Sequence, residues 1–136
     1  MTTLYLFRGW PGSGKSTKAK EYQAKGIFNK YFENDQFMTN VNGNYNWSKE
    51  ALANAIISCK DAILHELAHN RNVGYCAVLA NKAQVVEWLT ICKKLNVTLQ
   101  VIDCNGDYQN VHNVPIAKVA KMKKEFQPWI NYSNTA

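Results

Sequence analysis

The sequence predicts an α/β fold: one three-layer domain with a parallel sheet of about four strands and helices on both faces. Three observations carry that expectation. Apolar β-prone runs alternate with segments of helical periodicity, in the order β-α-β-α-β-α-β-α, and such alternation implies a parallel sheet covered by helices. The run from Val73 to Ala80 (VGYCAVLA) is nearly all apolar, as a strand buried on both faces requires. The first β-prone run leads through a glycine-rich turn into a helix, and the carboxyl ends of strands are where such sheets bind ligands.

Each element follows from its residues. Thr3–Phe7 (TLYLF) reads as the first strand, and Lys15–Lys25 as a helix with Gly26 in its C′ position. Lys30–Glu33 (KYFE) is a second short strand, and the Asn/Gly-rich segment 40–46 is a loop. Ser48 is an N-cap with Glu50 in the first turn. The helix it starts extends to about His69, with Leu52, Ile56, Cys59, Ile63 and Leu67 spaced to face a core. The buried run Val73–Ala80, a helix over Ala83–Lys94, a β-branched strand over Val97–Asp103 and a helix from Pro115 to about Phe126 complete the order.

Composition narrows the function classes. The chain has 136 residues, 46% hydrophobic and 19% charged, which fits one globular domain spanning 1–136 and excludes a disordered tail, a collagen-like rod and a long coiled coil. No apolar run reaches the length of about 18 residues that suggests a membrane span, so no membrane partner is expected. Met1-Thr2-Thr3 lacks the basic start of a signal peptide, and the expected location is the cytoplasm. The net charge of +6 suits an anionic partner, but fourteen of the sixteen basic residues are Lys and only Arg8 and Arg71 are Arg. The four cysteines (Cys59, Cys76, Cys92, Cys104) stand apart, each in or beside an apolar run, which predicts buried free thiols in a reducing compartment. The N-x-[ST] triplets at Asn46, Asn96 and Asn131 are chance matches in such a protein.

Gly9-Trp10-Pro11-Gly12-Ser13-Gly14-Lys15-Ser16 fits G-x-x-x-x-G-K-[ST], after a strand and before a helix as that motif requires. Glycines let successive N–H groups turn toward one concave point, and the helix start adds its positive dipole end. Lys15 supplies a mobile charge for β- and γ-phosphates, and the Ser16 hydroxyl is a ligand for Mg²⁺. Nucleotide binding by Gly9, Pro11, Gly12, Ser13, Gly14, Lys15, Ser16 and Thr17 is therefore expected on a P-loop NTPase domain.

The stretch Arg8–Thr17 (RGWPGSGKST), the segment Glu33–Met38 (ENDQFM), Asn110–Pro115 (NVHNVP) and Lys121–Phe126 (KMKKEF) occur in the order seen in a known group. Together they resemble the small P-loop kinases related to polynucleotide 5′-kinase, a set that includes zeta-toxin-like ATP-binding kinases. The resemblance covers about residues 4 to 126 and implies an ATP-dependent kinase that uses Mg²⁺, with a lid region over about 104–115. It assigns Asp35 as the carboxylate that deprotonates or orients the acceptor hydroxyl, and implies ATP and a nucleic-acid 5′ end as partners. Three positions depart from the family pattern. Leu79 stands where the family has a carboxylate after the third strand, in Val78-Leu79-Ala80-Asn81. Met38 replaces an Arg that follows the catalytic Asp, and Gln109 replaces the lid Arg. Lys118, Lys121 and Lys124 share one side of the last helix, either as lid or phosphate contacts or as a solvated face. Asp103, at the end of the fourth strand, is the nearest candidate to replace the missing carboxylate.

Two further features need a reading. His65-Glu66-Leu67-Ala68-His69 fits the zinc-protease pattern H-E-x-x-H, with Glu87 at a tolerable distance for a third ligand. The helical wheel, however, sets both histidines with Asn54, Ser58 and Asp61, away from the core stripe. Tyr31, Phe32 and Phe37 are expected to pack around the second strand, and Trp47 to staple the helix start before Ser48. Trp129 and Tyr132 either stack on bases or close over a core edge. Three functions stay open on the sequence: transfer of the ATP γ-phosphate to a nucleic-acid 5′-hydroxyl, transfer to a small acceptor such as a nucleoside or sugar, and binding of nucleotide or nucleic acid without catalysis.

Overall fold

The structure, a computed structural model, describes residues 1–38, 48–106 and 115–129, with the side chain of Asp35 outside that description. The strands are β1 (Thr3–Arg8), β2 (Lys30–Glu33), β3 (Val73–Ala77) and β4 (Thr98–Asp103), and the helices are α1 (Lys15–Ala24), α2 (Lys49–Ala68), α3 (Lys82–Lys94) and α4 (Ile116–Glu125). All strand pairs are parallel, in the spatial order β2-β3-β1-β4. β1 is thus central, and the crossover between β1 and β2 puts their carboxyl ends on one rim with β3 between them.

Alternation along β1 sorts the two faces. Leu4 and Leu6 point to one side and join Cys59, Ile63, Leu67, Val85, Trp88, Cys92 and Leu99, so α2 and α3 cover that face. Tyr5 and Phe7 point to the other, where they meet Phe28, Cys76 and Ala19 of α1. Each fully buried branched side chain such as Ile63 contributes about 1.5–3 kcal/mol through burial. The expected three-layer α/β arrangement with four parallel strands is observed.

Caps set the helix limits. The Ser48 side chain accepts from the amide of Ala51 at 2.9 Å. Asn81 accepts from Ala83 at 2.8 Å while Gln84 accepts from the Asn81 amide at 3.2 Å, closing a capping box at the start of α3. Gly26, at φ 76°, sits in the left-handed region just past α1, as a C′ glycine does.

Two expectations on these elements change. The apolar run from Val73 does not stay a strand to Ala80: pairing ends at Ala77, and Leu79 turns to φ 40°. Burial is what apolarity reports, and Val78 and Leu79 line a cavity instead of a ladder. On α2 the inner stripe holds at Cys59, Ile63 and Leu67, but Ile56 is 43% exposed, because the buried stripe continues through Ala55, one residue earlier. Segment 40–46, Trp47, Gln109, Tyr132 and most of the 104–115 lid lie outside the described residues, as do Asn110–Val114 of the NVHNVP segment. No helix among the described residues is long and apolar enough to cross a membrane.

Candidate phosphate site at the carboxyl rim of the sheet

The loop from Gly9 to Gly14 joins β1 to α1 and is held by its own backbone. The Ser13 amide donates to the Trp10 carbonyl at 3.0 Å, and the Ser13 carbonyl accepts from Gly106 at 2.8 Å, so the exit of β4 braces the loop from behind. Gly12 and Gly14 adopt φ of 83° and 96°, which only glycine takes without strain. Gly9 is demanded by proximity: a Cβ there would stand 2.2 Å from Ser13 Oγ and 2.6 Å from the Cys104 carbonyl oxygen. The buried Ser13 hydroxyl has no hydrogen-bond partner among the described residues.

α1 opens on Gly14 with no side-chain cap and no acidic residue in its first turn. First-turn N–H groups have no partner within a helix, so this helix start is shaped for an anion. Lys15 Nζ donates to the carbonyls of Gly9 (2.9 Å) and Trp10 (3.1 Å), curled back over the loop it would serve. The residues present fit a polyphosphate and its metal: main-chain donors and an ammonium for the one, hard oxygen atoms for the other.

The oxygen atoms come from two elements. Ser16 Oγ, in the first turn of α1, donates to Glu33 Oε1 at the end of β2. Glu33 faces α1 because Tyr31, two residues earlier, packs on that same face. Its charge also contributes to raising the Tyr31, Cys59 and Cys76 pKa values, in each case after burial. Glu33 is not among the site residues expected from the sequence, and the signal for it there is a carboxylate that ends a strand of this rim. The backbone of Asp35 lies in the 3₁₀ turn Asn34–Phe37 that follows β2. Met38, which the resemblance set against an arginine, is buried. Thr17 is exposed on α1.

Neither arginine faces the phosphate loop. Arg8 is wholly buried and donates to the Leu79 carbonyl (Nε 3.2 Å, Nη2 2.7 Å), the Gln127 carbonyl (Nη2, 2.8 Å) and Asp103 Oδ1 (Nη1, 2.9 Å). Its guanidinium lies 4.4 Å from the centre of the Phe126 ring. Arg71 sits past α2, before β3, at the opposite rim, and grips buried Glu66 with both arms at 3.0 and 2.9 Å. That grip holds the Glu66 carboxyl below its ordinary range, the hydrogen bonds from Arg71 being the main cause.

Asp103 does not stand as a spare carboxylate. Its Oδ1 pairs with Arg8 and its Oδ2 accepts the Trp129 amide at 2.6 Å. Leu79 contributes its carbonyl to Arg8, and Asn81 is the α3 cap. Lys118, Lys121 and Lys124 are exposed on α4. Lys123 of the same helix lies near the loop, its Nζ 5.3 Å from the Trp10 ring centre, beside an edge-on Trp10–Phe126 contact at 5.5 Å. Trp129 is buried and closes over the core edge. His65 and His69 are exposed with their rings 4.4 Å apart, and His69 Nδ1 lies 2.8 Å from the His65 carbonyl oxygen. Phe32 and Phe37 pair at 6.3 Å and Phe28 with Tyr31 at 6.3 Å around β2.

A cavity of about 430 Å³ opens between α2 and α3 over the end of β3. Asn34, Leu52, Ile56, Tyr75, Leu79 and Trp88 contribute to its wall, and the Tyr75 hydroxyl donates to Asn34 Oδ1 at 3.1 Å.

No protein-family profile matches this sequence, and no curated protein matches it. Solved structures do match. One, described as the structure of the Pnkp1/Rnl/Hen1 complex, superposes with a TM-score of 0.65 at 16% identity over 88% of this chain and 38% of that one. A second, of the Pnkp1/Rnl/Hen1 RNA repair complex, gives 0.63 at 18% identity over 89% and 36%. This chain therefore spans less than two fifths of either. The Mycobacterium tuberculosis APS kinase CysC, as a Cys556Ala mutant, gives 0.60 at 16% identity over 91% of this chain and 93% of that one. The single parallel sheet with its glycine loop is thus the α/β P-loop fold that this chain shares with P-loop kinases.

Proposed function

We propose that this protein binds ATP with Mg²⁺ and transfers the γ-phosphoryl group to a hydroxyl acceptor, a nucleic-acid 5′-hydroxyl. The observation that carries the reading is the loop itself: main-chain donors at an uncapped helix start, Lys15 folded over them, and Ser16 Oγ beside a carboxylate.

The residues divide the work. The amides of Gly12 to Ser16 and the Lys15 ammonium hold the β- and γ-phosphates, Lys15 exchanging its two carbonyl partners for phosphate oxygens. Mg²⁺, held by Ser16, supplies neutralisation of the phosphate charge when bound. Asp35 accepts the proton of the acceptor hydroxyl as its oxygen bonds to the γ-phosphorus. The bond from that phosphorus to the bridging oxygen breaks, and ADP leaves with the bonding pair. The cavity between α2 and α3 lies next to Asn34, one residue from Asp35, and its volume suits a nucleoside-sized group. The charge of +6 and the exposed lysines of α4 support an anionic acceptor.

A second reading is favoured by one observation. A guanidinium on the transferring phosphoryl group is worth about 10³–10⁵ in rate, and both arginines here are engaged elsewhere. A protein that binds nucleotide without transferring phosphate is the rival.

The test is labelled ATP offered with 5′-hydroxyl DNA, 5′-hydroxyl RNA and a panel of small alcohols and nucleosides. Label on an oligonucleotide that disappears in Lys15→Ala and Asp35→Ala supports the proposal. Label on a small acceptor replaces the acceptor, and ATP binding with no transfer selects the rival. Absence of any nucleotide binding overturns both.

A further inference from the structure

Resting on the nucleotide reading above, we infer that Glu33 is the carboxylate that holds the metal side of this site, directly or through a metal-bound water. In P-loop NTPases the P-loop hydroxyl shares the metal with an acidic residue, and the end of the strand beside β1 is the nearest place for one. Here that strand is β3, and the residues after it are Val78, Leu79 and Ala80. On the other side of β1 stands Asp103, with both oxygens taken. Among the described residues, the ends of these two strands therefore offer no carboxylate that is not already engaged.

The next strand out does. β2 ends in Glu33, in register with Cys76 of β3, and its side chain faces α1. There it accepts from Ser16 Oγ, the hydroxyl that the motif devotes to the metal. Two hard oxygens from separate elements thus converge at the foot of the phosphate loop. Adjacent ligands of an octahedral Mg²⁺ with bonds of about 2.1 Å lie about 3 Å apart. A pair already in hydrogen-bonding contact needs only a small displacement to admit the ion or its water. The carboxylate beside the P-loop hydroxyl thus comes from β2 and not from β3.

A purely structural role is the competing account. An anion near the start of α1 stabilises that helix through its dipole with no metal involved. The two accounts part on metal affinity. ATP affinity is measured calorimetrically in Mg²⁺ and in EDTA, and Mn²⁺ binding in the presence of ATP is followed by electron paramagnetic resonance. The proteins are wild type, Glu33→Gln, Glu33→Asp and Asp35→Asn, each checked for folding by circular dichroism.

Glu33→Gln is expected to lose 10- to 100-fold in Mn²⁺ affinity, about the range for changes around a bound metal, while ATP binding in EDTA stays equal or tightens. Glu33→Asp keeps part of the metal effect. Unchanged Mn²⁺ affinity in Glu33→Gln, or a loss confined to Asp35→Asn, overturns the assignment while the nucleotide reading stands. Failure of the wild type to bind ATP in either buffer overturns both.

Discussion

Arg8→Met tests whether the buried guanidinium is a structural clamp or a catalytic group. In the folded protein Arg8 serves three acceptors, Asp103, Leu79 and Gln127, and has no exposed surface. Removing one partner of a buried ion pair costs about 3–5 kcal/mol, chiefly because the other charge is stranded. The Asp103 side chain keeps 20% exposure and the Trp129 amide, which sets the expected loss at the lower end, about 3 kcal/mol. Gln127 is exposed, so water replaces the donor to its carbonyl and adds little. Against a stability of about 5–15 kcal/mol the variant still folds at 25 °C. Urea denaturation of wild type, Arg8→Met, Asp103→Leu and the double variant gives the cycle, with an expected coupling of about 2 kcal/mol between the two side chains. The double variant recovers only part of the loss, because the Trp129 amide has then lost its acceptor. Nucleotide affinity in folded Arg8→Met should hold within about threefold, a shift of about 0.65 kcal/mol. A destabilisation under about 1 kcal/mol, too small for a buried pair, would refute the clamp. A fall in nucleotide affinity of tenfold or more would do the same.

Three other outcomes follow from the described geometry. Asn81→Ala removes the α3 cap and should lower stability by about 1 kcal/mol, read in the same denaturation assay, with Asn81→Ser retaining most of it. Burial pushes the Cys59 thiol up to about 12 and Cys92 to about 11 and raises Cys76 and Cys104 as well. All four thiols should therefore resist a disulfide reagent at pH 8 in the native protein and react together in guanidinium. The Glu66 carboxyl, lowered by Arg71, binds its proton more weakly folded than unfolded. Its stabilisation is full at neutral pH and is lost as pH falls below about 4.3 through the depressed folded value. Arg71→Ala should flatten that acid limb of the stability profile.

Much of the fold was legible because its signals are local. The run Lys30–Glu33 and the Ser48 cap emerge as read, since a short β-prone run and an N-cap depend on neighbouring residues alone. The phosphate loop was legible for the same reason: eight consecutive residues specify its shape. What escaped depends on partners distant in the chain. Apolar Val78 and Leu79 read as strand because periodicity reports burial and not ladder pairing. Glu33 was overlooked because its meaning lies in Ser16, seventeen residues earlier on another element. Asp103 read as a spare carboxylate because nothing nearby in sequence shows that Arg8, at a separation of 95 residues, already holds it. The α4 lysines were sorted by helical spacing, which groups Lys118, Lys121 and Lys124. It cannot reveal that the face touching Trp10 carries Lys123.

The carboxylate that ends β4 also receives the backbone of Trp129, so the polypeptide departs from the sheet and returns to a single side chain 26 residues on. Such an excursion is a pinned ring. Doubling its length would raise the entropic cost of closure by only about 0.6 kcal/mol. A change of length between the two anchor points therefore carries a small entropic cost, and the lysine-rich helix α4 lies between them. Recognition of new polyanions can evolve there by lengthening or shortening the ring, while the sheet and its glycine loop stay as they are.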